Sequence, residues 1–385
     1  MPKRKKQHFV PKFYLKRFVV VSGLIDTFLV NKNKLCEKIP YKDQCQQDYF
    51  YGTDLEWEVR LSSMERTWDS IFLKIDKQIL LSEEEYRQVK LFALFQRQRT
   101  NGEYNYRYQE RKALMLDYAK SLYASRGWVF DKEAENLVEN NLKDAISPSE
   151  MLELAQKMQS YIEDLRVLFV TYDTKNSLII SDVPVVAINP FHKYSIGYGC
   201  VGLVLLFPIN PHCLAVIYDS KMYKENRDKN YISSTDESEV FSLNCLQFIS
   251  AEELVLGCRR SFPEVTNNLA EIRNRNRSKQ PVTTLGTPEQ HLIAISMRSA
   301  IYDCELSFAH VNHAFRKIPF CVREGVERRW DAGWENKLRI KGQVMETIYK
   351  NSPESFMGYS CKDIRDGCNR FYREMQRYWA SSDES

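Results

Sequence analysis

Complete catalytic signatures are missing from this chain of 385 residues. It contains no HExxH, no P-loop, no nucleophile elbow and no zinc finger, and no dinucleotide-binding fingerprint is read from it. Those absences remove the motif-based routes to a zinc protease, an NTPase, an α/β-hydrolase and an NAD enzyme. Ten cysteines are scattered without a CxxC pair. Cys36 and Cys45 stand too far apart for half a zinc site, and the spacing of Cys361 and Cys368 suits two positions on one helix face. The first residues carry no apolar signal-peptide core, and no run is long enough to cross a membrane; "VGLVLLFPI" at 201–209 is far too short. The expectation is a cytoplasmic protein with reduced thiols and no membrane partner. Charge of one sign is scarce as well. With 55 basic against 51 acidic residues, composition alone gives no argument for nucleic acid. No internal repeat is visible.

Apolar residues make up 43% and aromatic residues 12%, enough for a sizeable core and against global disorder. The start is distinctive. Lys3 to Lys6 reads "KRKK", a basic arm that either touches phosphates or stays solvated. "HFVPKFYLKRF" follows, and Pro11 is placed to open a short helix carrying Phe13, Leu15 and Phe18 inward. Lys12, Lys16 and Arg17 are left nearer water. "GLIDTFLVNK" and Leu35–Ile39 read as strands around a turn.

From about residue 53 the apolar spacing becomes helical. Trp57, Leu61, Met64, Trp68, Ile71, Phe72, Ile75 and Ile79 recur at three and four, predicting a helix to about Gln78. Ser82 with Glu85 is a capping box, and Ser147, Pro148 and Glu150 form another. Helices are expected across 53–166, with a break at Asn101-Gly102. The grammar then changes to short apolar runs. "RVLFVTYD" and "SLIISD" read as a hairpin around "TKN", and "CVGLVLLFPI" and "HCLAVIYD" as a second one around "NPH". A closing helix is predicted at 242–257 with Gly257 as its stop. The fold class is therefore α+β: a helical N-terminal part, a mostly antiparallel central sheet, and an additional mixed C-terminal region. Residues 1–258 form the main domain, 259–289 ("RNRNRSKQPVTT") a linker, and 290–385 an extension.

Several polar residues sit where apolar ones are expected. Glu58 and Glu65 border the apolar stripe of the first long helix. They read either as metal ligands or a base, or as carboxylates reaching water and arginines. Gln96 and Arg99 continue the Val89–Phe92 face, where an unpaired polar group is costly. Arg99 then pairs with Glu65 or Glu58, or faces an anionic ligand. Asp182 ends a strand before Pro184, the place of a working carboxylate and equally of an Asx-turn. Asn244 is a weaker candidate. His192 and His212 read as loop residues, and His310 and His313 as two positions on a helix face, which is half a metal site at best.

Taken together, these segments resemble the uncharacterised bacterial family called domain of unknown function 4238, over roughly residues 7–257. The likeness rests on His8, Pro11, Tyr14, Leu15 and Phe18, then on Glu58 and Glu65, "FQRQRT" at 95–100, "IISDVPVV", "LLFPINP" and the helix holding Asn244. The resemblance supplies no activity. It implies only that His8, Glu65, Arg99 and Asp182 coincide with the family's polar positions.

Two functions follow as expectations. The first is a phosphodiester hydrolase, nuclease-like, in a bacterial defence setting. His8, Glu65, Asp182 and Arg99 would be catalytic, and Lys12, Arg17, Gln96 and Asn244 would hold substrate. Glu58, Glu65 and Asp182 would carry a divalent Mg or Mn. The second is a non-catalytic module binding nucleic acid or protein, in which the same cluster is structural. "YNYRYQERK" suits a single strand or a half-buried helix with snorkelling arginines. A homo-oligomer is not readable from sequence.

Overall fold

The computed structural model describes residues 5–262, except 54, 146, 190–196, 201, 221 and 225–229, together with the backbone of 282–285, 292–295 and 310–311. A short strand β1 (Lys6–His8) and the one-turn helix α1 (Lys12–Lys16) open it. The hairpin β2 (Leu24–Leu29) and β3 (Lys34–Pro40) follows, then β4 (Gln46–Asp48), which pairs antiparallel with β1. Five helices come next: α2 (Glu56–Asp76), α3 (Glu83–Gln98), α4 (Asn101–Ser125), α5 (Lys132–Ala145) and α6 (Pro148–Lys157). Both expected capping boxes are formed, at Ser82 with Glu85 and at Ser147 with Glu150. The break between α3 and α4 falls one residue earlier than the Asn-Gly pair, because the Thr100 side chain caps α4 through the Glu103 amide.

The centre is a five-stranded sheet ordered β11–β5–β9–β8–β7, built from β5 (Arg166–Tyr172), β7 (Val186–Ile188), β8 (Val204–Asn210), β9 (Cys213–Tyr218) and β11 (Tyr231–Ser234). All neighbours are antiparallel except β11 on β5. Alternate residues of each strand face opposite layers. Phe169, Leu205, Phe207, Ala215 and Ile217 pack on α1, α2 and α3, whereas Leu168, Val170, Leu206, Leu214 and Val216 pack on α7 (Glu237–Ser250). Burial on both faces explains why these strands read as continuous apolar runs. A second sheet, ordered β3–β2–β12–β6, joins the N-terminal hairpin to β6 (Ile180–Ser181) and β12 (Leu254–Gly257).

Three expectations need correction. "SLIISD" does not form a hairpin with β5; β6 lies in the other sheet against β12, while β5 takes β9 and β11 as neighbours. The closing helix ends at Ser250, and Gly257 terminates a strand. Asp182 causes that change, as shown below. His310 lies on a short strand, β15 (His310–Val311), paired with β10 (Tyr223–Lys224), not on a helix. A further strand pair, β13 (Val282–Leu285) and β14 (Leu292–Ile295), spans the end of the expected linker. His192 and His313 lie outside the described residues.

Candidate functional site

The opening segment is docked by groups from three other elements. Pro11 starts α1, and Val10, Tyr14, Leu15 and Phe18 are buried in the main core. The Tyr14 hydroxyl donates to the Pro208 carbonyl on β8 at 2.5 Å. Arg17 is not free for substrate. Its Nε donates to the Ile209 carbonyl at 2.8 Å, it pairs with Asp76, and it lies over the Phe72 ring at 5.5 Å. Lys12 is exposed, as expected.

His8 is 9% exposed. Its Nε2 lies 2.8 Å from the Lys42 carbonyl, which can only accept, so Nε2 carries the proton. Burial, with the Lys12 and Arg99 charges, outweighs the opposing Lys42 bond and Asp43 and lowers the His8 pKa to about 4. The ring is therefore neutral over the physiological range.

Arg99, 2% exposed, stands at the end of α3 and spends its fork on three partners. Nη1 meets Glu65 Oε1 at 2.8 Å, Nη2 donates to the His8 carbonyl at 2.7 Å, and Nε donates to the Tyr51 hydroxyl at 3.0 Å. Burial works against the charged guanidinium, yet Tyr51 and Glu65 more than reverse this and raise the Arg99 pKa. The Tyr51 hydroxyl, pushed up to about 12 by burial, stays protonated and donates to the His8 carbonyl at 3.2 Å. Gln96 Nε2 donates to the Phe9 carbonyl at 2.9 Å. Gln7 fastens the other side, taking the Tyr51 amide at 2.6 Å and giving to the Gly52 carbonyl at 3.1 Å. Glu58 is half-buried on α2, and its charge, like that of Glu65, bears on Tyr51.

Residues 91–100 are buried without interruption, so "QRQRT" serves both sides of α3. Arg97 turns away from Arg99 and donates to the Val185 carbonyl at 2.8 Å. It also stands 3.7 Å from the fully buried Glu103, which Arg107 meets at 3.3 Å. Gln98 donates to the Tyr198 hydroxyl at 3.0 Å. Tyr51, Gln7, Arg97, Gln98 and Glu103 are the members that sequence reasoning missed; only the unbroken "FQRQRT" run signalled that a polar set is buried there.

Asp182 belongs to another place. Oδ1 accepts the Glu252 amide at 2.8 Å, and Oδ2 accepts the Glu253 and Leu254 amides at 2.7 and 3.2 Å. It thus caps the turn that ends α7 and sends the chain into β12. Asn244 is likewise engaged by backbone: it takes the Ile179 amide and donates to the Ser177 and Ser261 carbonyls. Gln247 holds Ser181 and the Pro184 carbonyl in the same manner. His8, Arg99 and Glu65 therefore gather in one cluster through Arg99, and Asp182 serves a separate turn. Among the described residues no three His, Cys, Asp or Glu side chains are arranged to hold a metal ion. Glu58, Glu65 and Asp182 do not form the expected set, because Glu65 faces Arg99 and Asp182 faces amides.

A glycine pattern, Gly197, Gly199 and Gly202, has the GxGxxG spacing. It leads into strand β8 and not into a helix, so it lacks the helix N-terminus that cradles a pyrophosphate. Among the described residues no helix is long and apolar enough to cross a membrane.

Neither the curated proteins nor the solved structures provide a match to this chain. One family model does, over residues 6–261, which runs from the first residue of β1 to just past β12 and covers every motif whose contacts are described above. The chain belongs to the family described as protein of unknown function DUF4238.

Proposed function

We propose that the family body is a non-catalytic nucleic-acid-binding module, in which the His8–Glu65–Arg99 cluster and Asp182 are structural. One observation carries this reading: His8, Arg99 and Asp182 are already committed to fixing backbone, and Glu65 faces Arg99. Arg99 serves the His8 carbonyl, His8 serves the Lys42 carbonyl, and Asp182 serves three amides. A general base needs a free lone pair within about 3 Å of a reacting atom, and a neutral imidazole of such low basicity is a poor one. The module is assigned to a bacterial cytoplasm, in keeping with Cys36, Cys45, Cys200, Cys213, Cys245 and Cys258, which form no disulfide among the described residues.

The test is to incubate the full chain with single-stranded DNA, duplex DNA and RNA in Mg, Mn or EDTA. Binding without cleavage is expected. Metal-dependent cleavage that disappears in a folded His8→Gln or Asp182→Asn variant overturns the reading in favour of a phosphodiester hydrolase.

A further inference from the structure

We propose that Lys6, Lys12, Lys16 and Lys42 form a strip that contacts the phosphates of a single nucleic-acid strand. The inference rests on the binding reading above and names its surface. It starts from an uneven charge distribution. The first fifty residues hold eleven Lys and Arg against four Asp and Glu, a surplus of seven, although the whole chain is only +4. The other 335 residues are therefore net −3.

Three of the four acids in that segment are taken up. Asp26 accepts the Lys38 and Arg259 amides, Glu37 pairs with Arg259, and Asp48 pairs with Lys5. The fourth, Asp43, bears on His8. Lys6, Lys12, Lys16 and Lys42 are all exposed, and among the described residues none of them has an ion-pair partner.

The clasp around His8 brings these lysines together. Lys12 and Lys16 lie one turn apart on the outer face of α1, whose inner face holds the buried Tyr14 and Leu15. That helix packs against the turn Tyr41–Asp43, which carries Lys42. The His8 ring joins the two, bonded to the Lys42 carbonyl and sensing the Lys12 charge. Lys6 stands two residues earlier on β1, continuous with the basic arm. Arg99, Gln96 and Gln7 hold this backbone, so the cations are fixed relative to one another before any ligand arrives.

Compact lysine charges contact phosphates without reading bases. Half-buried Tyr41 and Tyr49 adjoin the strip; the Tyr49 amide donates to the Lys5 carbonyl at 2.7 Å. Aromatic rings with part of their surface open beside cations are what a strand with unpaired bases stacks on. They favour a single strand over an anionic lipid surface. Val20 and Val21, 40% and 51% exposed beyond α1, are the residues a membrane would use instead.

The experiment measures binding of the full chain to a fluorescent oligothymidylate across a salt series. Wild type should bind with a steep salt dependence. The triple variant Lys12→Gln, Lys16→Gln, Lys42→Gln should weaken binding roughly tenfold or more and reduce the log–log salt slope by about 2, near 0.7 per lost phosphate contact. Lys132→Gln, on α5, which packs against α4, should change neither, and circular dichroism should be unaltered in all variants. If wild type binds and the triple variant binds with the same slope, the strip is wrong while the binding reading stands. If wild type fails to bind oligothymidylate, RNA and duplex alike, the binding reading falls and the strip with it. Binding to phosphatidylserine vesicles without binding to any oligonucleotide, lost in the triple variant, overturns the proposal in favour of a membrane surface.

Discussion

The guanidinium of Arg99 grips the backbone of His8, with Nη2 2.7 Å from the His8 carbonyl. The residues are 91 apart in sequence. The histidine's carbonyl faces Arg99 and Tyr51, while its ring faces Lys42. This arrangement answers why a histidine, a proline and an aromatic-basic run open the family body. They are the parts of a clasp that closes the N-terminal segment over the end of α3.

The Arg99–Glu65 pair should be strongly coupled. Removing one partner from a buried charge pair typically costs about 3–5 kcal/mol, because the other charge is left uncompensated. Glu65 is partly exposed, so its own loss should cost less. Arg99→Leu should lower stability by about 3–5 kcal/mol and Glu65→Gln by about 1 kcal/mol. Urea midpoints for both variants and the double variant test this. Fully additive losses would show that the two residues are not partners.

Asp182→Asn should destabilise the fold by about 3 kcal/mol, since a charged acceptor of three amides is replaced by a group with one acceptor oxygen and a donor that faces N–H groups. The loss should be local. Hydrogen exchange should quicken at Glu252–Leu254 and along β12, while α3 keeps its protection. Uniform exchange across the whole body, with no excess at β12, would count against this assignment.

Local chemistry made much of the fold legible. Capping boxes at Ser82 and Ser147 are short-range events, and the helices they start were readable to the residue. The stripe in α2 and the continuation of the Val89–Phe92 face also pointed to an Arg99–Glu65 pair. What failed was non-local. α2 starts at Glu56, three residues later than expected, after Leu55, whose φ is 62° and which offers no side-chain cap, so no local signal existed. The helix at 242–257 was overextended because "FISAEELVLG" keeps helical spacing, and Asp182, about seventy positions earlier, overrides it. Tyr51 and Gln7 escaped notice because a single polar residue beside a turn or on a three-residue strand carries no periodicity.

Gly257 illustrates a close approach. Its φ is +152°, and a Cβ built there would lie 2.8 Å from Ile179 Cγ2. Gly257→Ala should therefore cost about 1–3 kcal/mol by overpacking the contact between β12 and the residue before β6. Thermal midpoints read this, and a variant as stable as wild type would mean that the second sheet yields more readily than its burial suggests.

Tyr14→Phe isolates one hydroxyl. Burial raises the phenol pKa well above its usual value, so the group is always a donor to the Pro208 carbonyl. Its removal should cost about 1–2 kcal/mol, leaving a buried carbonyl short of a partner while the ring contacts with Phe18 and Phe92 remain. A neutral outcome in urea unfolding would argue that Tyr14 contributes through its ring alone.

His8 makes the clasp sensitive to acid. Its folded pKa, about 4, lies below the value near 6.5 of an unfolded histidine. The unfolded chain therefore binds a proton more readily, and acid favours it. The contribution is fully present above about pH 6.5, declines as pH falls from there to about 4, and does not decline further below that. The full span corresponds to roughly 3 kcal/mol. His8→Gln should cost about 1 kcal/mol at neutral pH through the weakened link to the Lys42 carbonyl. It should also flatten the pH dependence, so the wild-type and variant curves cross between about pH 5.5 and 6, and the variant is the more stable below that. The measurement is a set of urea midpoints for both proteins from about pH 7.5 to 3.5, the interval that brackets the two pKa values. Carboxylates titrate in the same range, and the difference between the two proteins removes their common part. Parallel curves would mean that the ring is not held neutral in the fold.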